Sequence, residues 1–244
     1  MLDSGIEGLG QEFDEIVEAL SLSLKADSDD ESKKLLTVID AFRQNIQIMQ
    51  RLDSDAKNNT EYQISVDEVT EIADFALNLL DEIANACASR SLQNEMVKVH
   101  RLSLPIVIWF KQYQGALKKL DIVVNAIASY ANTLQDTESL QALCILIGNV
   151  VDVTDILIKQ DLEASNAMRP WRVLNLNWGI VATRTHNIDL MEQVFDQLIN
   201  NIPDDVQQFF NEGMQQMDIV GYPNTVRNVM EKYAHLVEGN NSIH

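Results

Sequence analysis

A group of basic and aromatic residues stands out in an acidic chain. Its members follow one another within a short stretch: Arg169, Trp171, Arg172, Arg184 and His186. Guanidinium groups bind carboxylates and phosphates through paired hydrogen bonds, and the start of a helix attracts anions. The group therefore predicts a pocket for a small anion, in a ligand sensor or an enzyme. In the alternative interpretation, the arginines pair with acidic residues of the protein itself and the tryptophans lie in the core.

Motifs of catalysis and of metal binding are missing. The sequence contains no G-x-S-x-G, G-x-G-x-x-G, G-x-x-x-x-G-K-[ST] or H-E-x-x-H. Glu231 and His235 are spaced i, i+4, and Asp152 and Asp155 form one carboxylate pair, but neither is a complete ligand set. Cys87 falls on an apolar helical face, where a thiolate is poorly stabilised. We expect no catalytic residue, no cofactor and no metal.

The composition indicates a folded protein with a strongly negative surface. Hydrophobic residues make up 46% of the 244, and 37 acidic against 18 basic residues give a net charge of −19. Such a surface repels phosphate backbones and anionic lipid headgroups, which argues against nucleic-acid and membrane partners. The two cysteines, the acidic N-terminus and the short apolar run over 139–151 predict a cytoplasmic protein.

Charge is unevenly distributed along the chain. The net charge is −13 over residues 1–90, +3 over 91–135 and −9 over 136–244. The basic central stretch could dock against acidic helices of the same protein or could meet an acidic partner. Its basic residues are Lys98, Arg101, Lys111, Lys118 and Lys119.

Apolar residues recur every three or four positions along nearly the whole chain, which predicts an all-α fold. We expect an acidic N-terminal helical region over 1–100 and a helical array over 101–244, joined as one continuous globular unit. A polar break is expected at 26–30, and Ser65 and Glu68 match a capping box. Further expectations are a loop over 53–62, one long or kinked helix over 104–135 with a buried run at 106–110, and a long helix over 136–166.

The last third of the chain carries a spaced pattern. An N-x-G motif occurs twice at a separation of 34 residues, two residues that end helices well are also 34 apart, and two prolines are 33 apart. The N-x-G motifs are Asn177-Trp178-Gly179 and Asn211-Glu212-Gly213, the helix-ending residues are Asn187 and Gly221, and the prolines are Pro170 and Pro203. The pattern predicts two consecutive helical hairpins.

Over residues 170–238 the chain resembles the tetratricopeptide repeat, a helical hairpin with a period of 34 residues. The small residues of the first helix fall at Gly179 and Gly213, the aromatic residue at Phe195 and the terminating proline at Pro203. The chain departs from the family where larger residues replace small ones in the second helices, at Met191, Leu198, Thr225 and Lys232, and where Val229 takes the aromatic position.

This resemblance implies a groove for a peptide, lined by the first helix of each hairpin. On the family's pattern the lining residues are Asn177, Thr183, Arg184, Gln207, Asn211 and Met214. Asn amides can bond both backbone groups of an extended peptide, and Arg184 can hold a carboxylate. The implied function is a non-catalytic protein–protein interaction or scaffold module; pairing of two copies into a homodimer is a further alternative. The two Asn side chains could instead bond between packed helices.

Overall fold

The computed structural model describes residues 5–24, 30–58 and 64–241, and in these ranges the regular structure is helical apart from one isolated bridge. The expected polar break falls almost entirely on 25–29, and the end of the expected loop on 59–63; both lie outside the described residues, as does His244. The helices are α1 (Leu9–Leu24), α2 (Asp30–Asn58), α3 (Val66–Ser89), α4 (Gln93–Arg101), α5 (Ser103–Gln112), α6 (Asp121–Thr133), α7 (Thr137–Val153), α8 (Ile156–Lys159), α9 (Pro170–Arg184), α10 (Ile188–Asn201), α11 (Val206–Val220) and α12 (Asn224–Asn241).

The chain divides into two compact units. Unit 1 comprises Met1–Ser129 with Asp152–Asp155, and unit 2 comprises Tyr130–Val151 with Ile156–His244. The expected boundary between the N-terminal helical region and the helical array, at residue 100, falls within α4. The division lies instead within α6, because α4 and α5 both pack on α3.

Helix α3 is the centre of unit 1, where it contacts α2, α4 and α5. The predicted capping box starts it: Glu68 N donates to Ser65 Oγ at 3.2 Å, and Ser65 N donates to Glu68 Oε2 at 3.2 Å. Free N–H groups at a helix start are satisfied in this way. Apolar residues of α3 that recur every three or four positions, among them Val69, Leu80 and Cys87, are buried, whereas Ile72 is half-buried.

The polar stretch after residue 52 is helical, so the expected loop over 53–62 is wrong for its described part. Helix α2 continues to Asn58 because Asp53 is buried and bonded. Tyr113 Oη donates to Asp53 Oδ1 at 2.9 Å, and Lys57 Nζ lies 2.8 Å from Asp53 Oδ2. A tertiary contact therefore decides how far this helix runs.

The expected helix over 104–135 is two helices. The run at 106–110 is a buried helix, as predicted, but α5 ends at Gln112 and α6 begins at Asp121. Gln114 has φ 59°, and the ring of Phe110 lies against Gly115 so closely that a side chain would not fit there. The chain therefore turns out of the helix at this point.

The expected helix over 136–166 ends early for a related reason. Leu117 lies in the linker between α5 and α6 and forms an isolated parallel bridge with Thr154. Leu117 N donates to Val153 O at 2.7 Å, and Asp155 N donates to Leu117 O at 2.9 Å. These bonds use backbone groups that a longer α7 would need, so α7 ends at Val153.

Basic residues of the central stretch pair within unit 1. Lys111 Nζ lies 3.1 Å from Asp152 Oδ2, and Lys119 Nζ lies 2.8 Å from Asp81 Oδ2. Internal docking, one of the two interpretations of this stretch, therefore describes Lys111 and Lys119.

Unit 2 contains two helical hairpins, α9–α10 and α11–α12, and α10 also contacts α12. Helix α11 begins 36 residues after α9 (206 against 170), and α12 begins 36 residues after α10 (224 against 188). The structural offset of the hairpins is thus 36 residues rather than 34. Pro170 opens α9, whereas Pro203 lies three residues before α11, so the two prolines are not equivalent.

Candidate functional site

An open apolar cleft of about 260 Å³ lies between α9 and α11 in unit 2. Met217 and Met230 are buried and form its floor, and Ile180 is a half-exposed wall. Thr183, Gly213 and Tyr222 are also among its lining residues. The first helices of both hairpins therefore face this cleft.

Glycines allow the close packing around the cleft. A Cβ on Gly179 would lie 2.5 Å from Phe209 Cζ and 2.8 Å from Leu198 Cδ2. A Cβ on Gly213 would lie 2.7 Å from Met230 Sδ. Both glycines thus lie at close helix approaches, as predicted, although they are not equivalent positions of the two hairpins.

The structure places only one of the six predicted peptide-binding residues, Thr183, on the cleft. With the offset of 36 residues, the counterpart of Asn177 is Gly213 rather than Asn211. A shift of two residues turns a helix position by about 200°. The residues expected on α11, which are Gln207, Asn211 and Met214, are therefore rotated away from the cleft.

The polar groups expected to bind the peptide make contacts inside unit 2. Arg184 donates to the carbonyl oxygens of Ala131 and Leu134, the latter at 2.6 Å, and so binds the end of α6. Asn177 Nδ2 donates to Val173 O at 3.0 Å, one turn earlier in its own helix. Thr183 Oγ1 donates to Gly179 O at 2.8 Å. Arg184 is a structural clamp in this arrangement.

The expected anion pocket is occupied by the protein's own carboxylates. Arg169 is only 3% exposed, and its guanidinium contacts Asp161 at 2.5 and 2.7 Å and Asp205 at 2.6 Å. Arg172 Nε donates to Asp205 Oδ1 at 2.6 Å. Burial acts to raise the pKa of Asp205, but the hydrogen bonds from Arg172 and Arg169 outweigh it and hold that pKa below its usual value. The arginines are therefore internal ion-pair partners.

The five residues of the expected anion pocket also do not meet. Arg172 lies at the start of α9 and Arg184 at its end, about 18 Å apart along the axis. Trp171 is buried, and its Nε1 donates to Asn201 O at 3.0 Å. His186 lies beyond the helix end, edge-on to Tyr222 with ring centroids 5.4 Å apart. Opposite ends of one helix cannot form one small-molecule pocket.

The turn after α9 differs from its expected form. The sequence pattern predicts that Asn187 ends a helix in the left-handed conformation, but His186 has that conformation, with φ 54°. Asn187 instead begins α10, where its side chain accepts from Leu190 N at 3.2 Å. Gly221 does end α11 with φ 75°.

Burial keeps both cysteines protonated. It raises the pKa of Cys87 to about 11 and that of Cys144 to about 12.

His235 Nε2 lies 4.0 Å from Glu231 Oε1. In the described ranges, no three His, Cys, Asp or Glu side chains are grouped to hold a metal ion. No helix of those ranges is long and apolar enough to cross a membrane.

Sequence reasoning missed most of the residues that line the cleft. Ile180, Met217 and Met230 carry no motif, and apolar residues at helical spacing are read as core. The available signal was the register of the helix ends. Three residues, 185–187, separate α9 from α10, and three residues, 221–223, separate α11 from α12. Alignment of these two turns gives the offset of 36 residues.

Comparison with known proteins leaves the fold and the cleft as the basis for function. None of the family models, curated proteins or solved structures compared with the chain matches it.

Proposed function

We propose that this chain is a non-catalytic interaction module whose α9–α11 cleft holds one large apolar side chain of a peptide segment. The observation that carries the proposal is the cleft itself, an apolar depression open to solvent between the first helices of two hairpins. Its volume of about 260 Å³ falls just below the roughly 300–1,000 Å³ of small-molecule pockets. A single anchor side chain suits it better than a whole metabolite.

The charge around the cleft selects the flanks of the peptide. Glu212 lies at the cleft, and the chain carries a net charge of −19. A basic residue beside the apolar anchor is therefore favoured, and acidic flanks are repelled. The interaction role agrees with the one that the tetratricopeptide resemblance implies, but its support is the cleft rather than the repeat period.

The test is selection of short peptides from a random display library on the intact chain. We expect enrichment of peptides with one aromatic or large aliphatic residue next to Lys or Arg. Ile180→Gln should weaken their binding about tenfold or more, because the wall of the cleft becomes polar. The matched control is Leu236→Gln, since Leu236 has the same exposure, 47%, and does not line the cleft.

Two results would contradict the proposal. One is a selection that enriches no common peptide. The other is equal binding of the enriched peptides to the Ile180→Gln and Leu236→Gln variants, both checked for unchanged helical content. The second result would place the binding surface elsewhere on the chain.

A further inference from the structure

A second groove lies in unit 1, between α2 and α3. One part, of about 350 Å³, is lined by Ala41, Ile48, Ile72 and Phe75, among others. The other part, of about 320 Å³, includes Leu35 and Val38 of α2 and Ala86 of α3. Lower numbers on α2 face higher numbers on α3, so the two helices are antiparallel and the two parts follow one line.

The α2 side of this line is continuous. The α2 residues at both parts are related by steps of three and four, which puts them on one helical face; they are Glu31, Lys34, Leu35, Val38, Ala41, Gln44, Asn45 and Ile48. Ile48 lies 17 positions after Glu31, which corresponds to about 26 Å along the helix. A partner helix of similar length would span both parts.

The groove exposes apolar surface that the unit does not cover. Phe75 is 51% exposed and Ile48 is 48% exposed, in helices whose opposite faces are buried in the core. Asn45 lies at the groove, is 4% exposed, and donates from Nδ2 to Ile72 O at 3.3 Å. Its Oδ1 accepts no hydrogen bond from the part of the chain that the structure describes. Contact with a partner would remove the exposed apolar area from water.

The charges along the groove indicate what covers it. Glu31, Glu71 and Glu82 line it against a single base, Lys34, and residues 1–90 carry a net charge of −13. A second copy of this chain, docked through the same groove about a two-fold axis, would place its own glutamates against these three, and the like charges would repel. A partner with an apolar stripe and basic flanks meets opposite charge instead.

We propose that the α2–α3 groove docks an amphipathic helix about 17 residues long, with an apolar stripe and Lys or Arg on both sides of it. The apolar stripe covers Ile48 and Phe75, and the basic flanks face the three glutamates. This is the mode in which an apolar helix face lies in a hydrophobic groove. It concerns a different unit from the α9–α11 cleft and does not depend on the function proposed for that cleft.

The probe is a fluorescently labelled peptide of about 17 residues, with Leu at helical spacing of three and four and Lys elsewhere. Its binding to the full chain is followed by anisotropy at physiological ionic strength, where exposed charges alone attract weakly. Two further peptides serve as controls. One has the same composition in an order without an apolar face, and the other has Glu in place of Lys.

Matched variants locate the binding. Ile48→Gln and Phe75→Gln should each raise the Kd of the probe about tenfold, because each removes apolar contact from the groove. Leu36→Gln is the control: Leu36 is on the same helix, is also 48% exposed and does not line the groove. It should change the Kd less than about twofold. Ile180→Gln, in the other unit, should also leave it unchanged.

Four results would overturn the proposal. The first is no saturable binding of the probe, and the second is equal Kd values for the Ile48→Gln and Leu36→Gln variants. The third is equal binding of the Glu peptide or of the reordered peptide. The fourth is a dimer in sedimentation that Phe75→Gln converts to a monomer, because a second copy would then be the occupant. Circular dichroism of each variant confirms that its helices are intact.

Discussion

The buried Arg169 forms an ion pair with the half-buried Asp205, with 2.6 Å between Nη2 and Oδ2. The pair joins the start of α9 to the turn before α11, and Asp205 also accepts from Arg172 at 2.6 Å. It thereby fixes the two helices that form the walls of the apolar cleft. Arg169 and Arg172, two residues of the expected anion pocket, hold the second hairpin on the first.

Arg169→Met should destabilise the chain strongly. The change keeps the volume of the side chain but leaves the carboxylate of Asp161, which is 16% exposed, without this partner. Loss of one member of a fully buried pair costs about 3–5 kcal/mol, so we expect a loss at the lower end of that range. Lys232→Met is the comparison, since the Lys232–Glu192 pair at 2.7 Å is exposed; it should cost under about 1 kcal/mol. Urea unfolding measures both. Equal losses would show that the buried network contributes no more than a surface pair.

Stability should fall in acid partly through Asp205. Its pKa is lower in the folded chain than the ordinary 3.8, so the folded state favours the charged carboxylate. The resulting stabilisation is present above the pKa of the unfolded chain and is lost as pH falls from about 4 through the folded pKa. Asp205→Asn should flatten the decrease in the free energy of unfolding between pH 5 and pH 3. A decrease as steep as that of the unchanged chain would exclude Asp205 as its source.

Alanine at three helical glycines should have graded effects. Gly179→Ala forces a Cβ against the Phe209 ring and Leu198, and overpacking of this kind costs about 1–3 kcal/mol. Gly213→Ala meets the flexible end of Met230, which can move, so we expect a smaller cost. Gly10→Ala makes only ordinary contact at 3.8 Å, and because Gly10 lies in the first turn of α1 it should stabilise by less than about 0.5 kcal/mol through helix propensity. Thermal unfolding gives the order, and a reversal of Gly179 and Gly10 would contradict the packing.

Two buried asparagines should respond in opposite ways to replacement by leucine. Asn175 donates to Trp171 O at 2.9 Å and accepts from Asn201 Nδ2 at 2.8 Å, so Asn175→Leu should cost about 1–3 kcal/mol. Asn45 leaves its Oδ1 without a donor among the described residues, so Asn45→Leu should leave stability unchanged or raise it by about 1 kcal/mol. Chemical unfolding compares the two. A large loss for Asn45→Leu would show that its amide is satisfied in solution.

Neither cysteine should react in the folded chain near neutral pH. Burial raises both thiol pKa values, to about 11 for Cys87 and about 12 for Cys144, so the reactive thiolate is scarce. A chromogenic disulfide reagent should label both thiols only after unfolding. Because an unfolded thiol ionises near pH 8.5, stability should also fall as pH rises above that value. Fast labelling of either thiol at pH 7 without denaturant would contradict its burial.

Local patterns in the sequence were enough to predict the helical class, the buried faces and several local features. The three-and-four spacing of apolar residues predicted buried helical faces, and Cys87 lies on one of them in the structure. The Ser65–Glu68 capping box was also readable, because its bonds join residues three apart. Local patterns predict what local contacts decide.

The ends of several helices, and the polar groups left free to bind a partner, depend on contacts between distant segments of the chain. The bridge between Leu117 and Thr154 ends α7, and the contact of Asp53 with Tyr113 extends α2; both join residues far apart in the chain. The N-x-G motif predicts an offset of 34 residues between the hairpins, two fewer than the 36 of the structure. A short motif does not report the length of the turns, which decides where the second hairpin begins. The sequence left open whether Arg169 and Arg184 bind a ligand or make contacts inside the protein, because their partners come from other segments that only packing brings near.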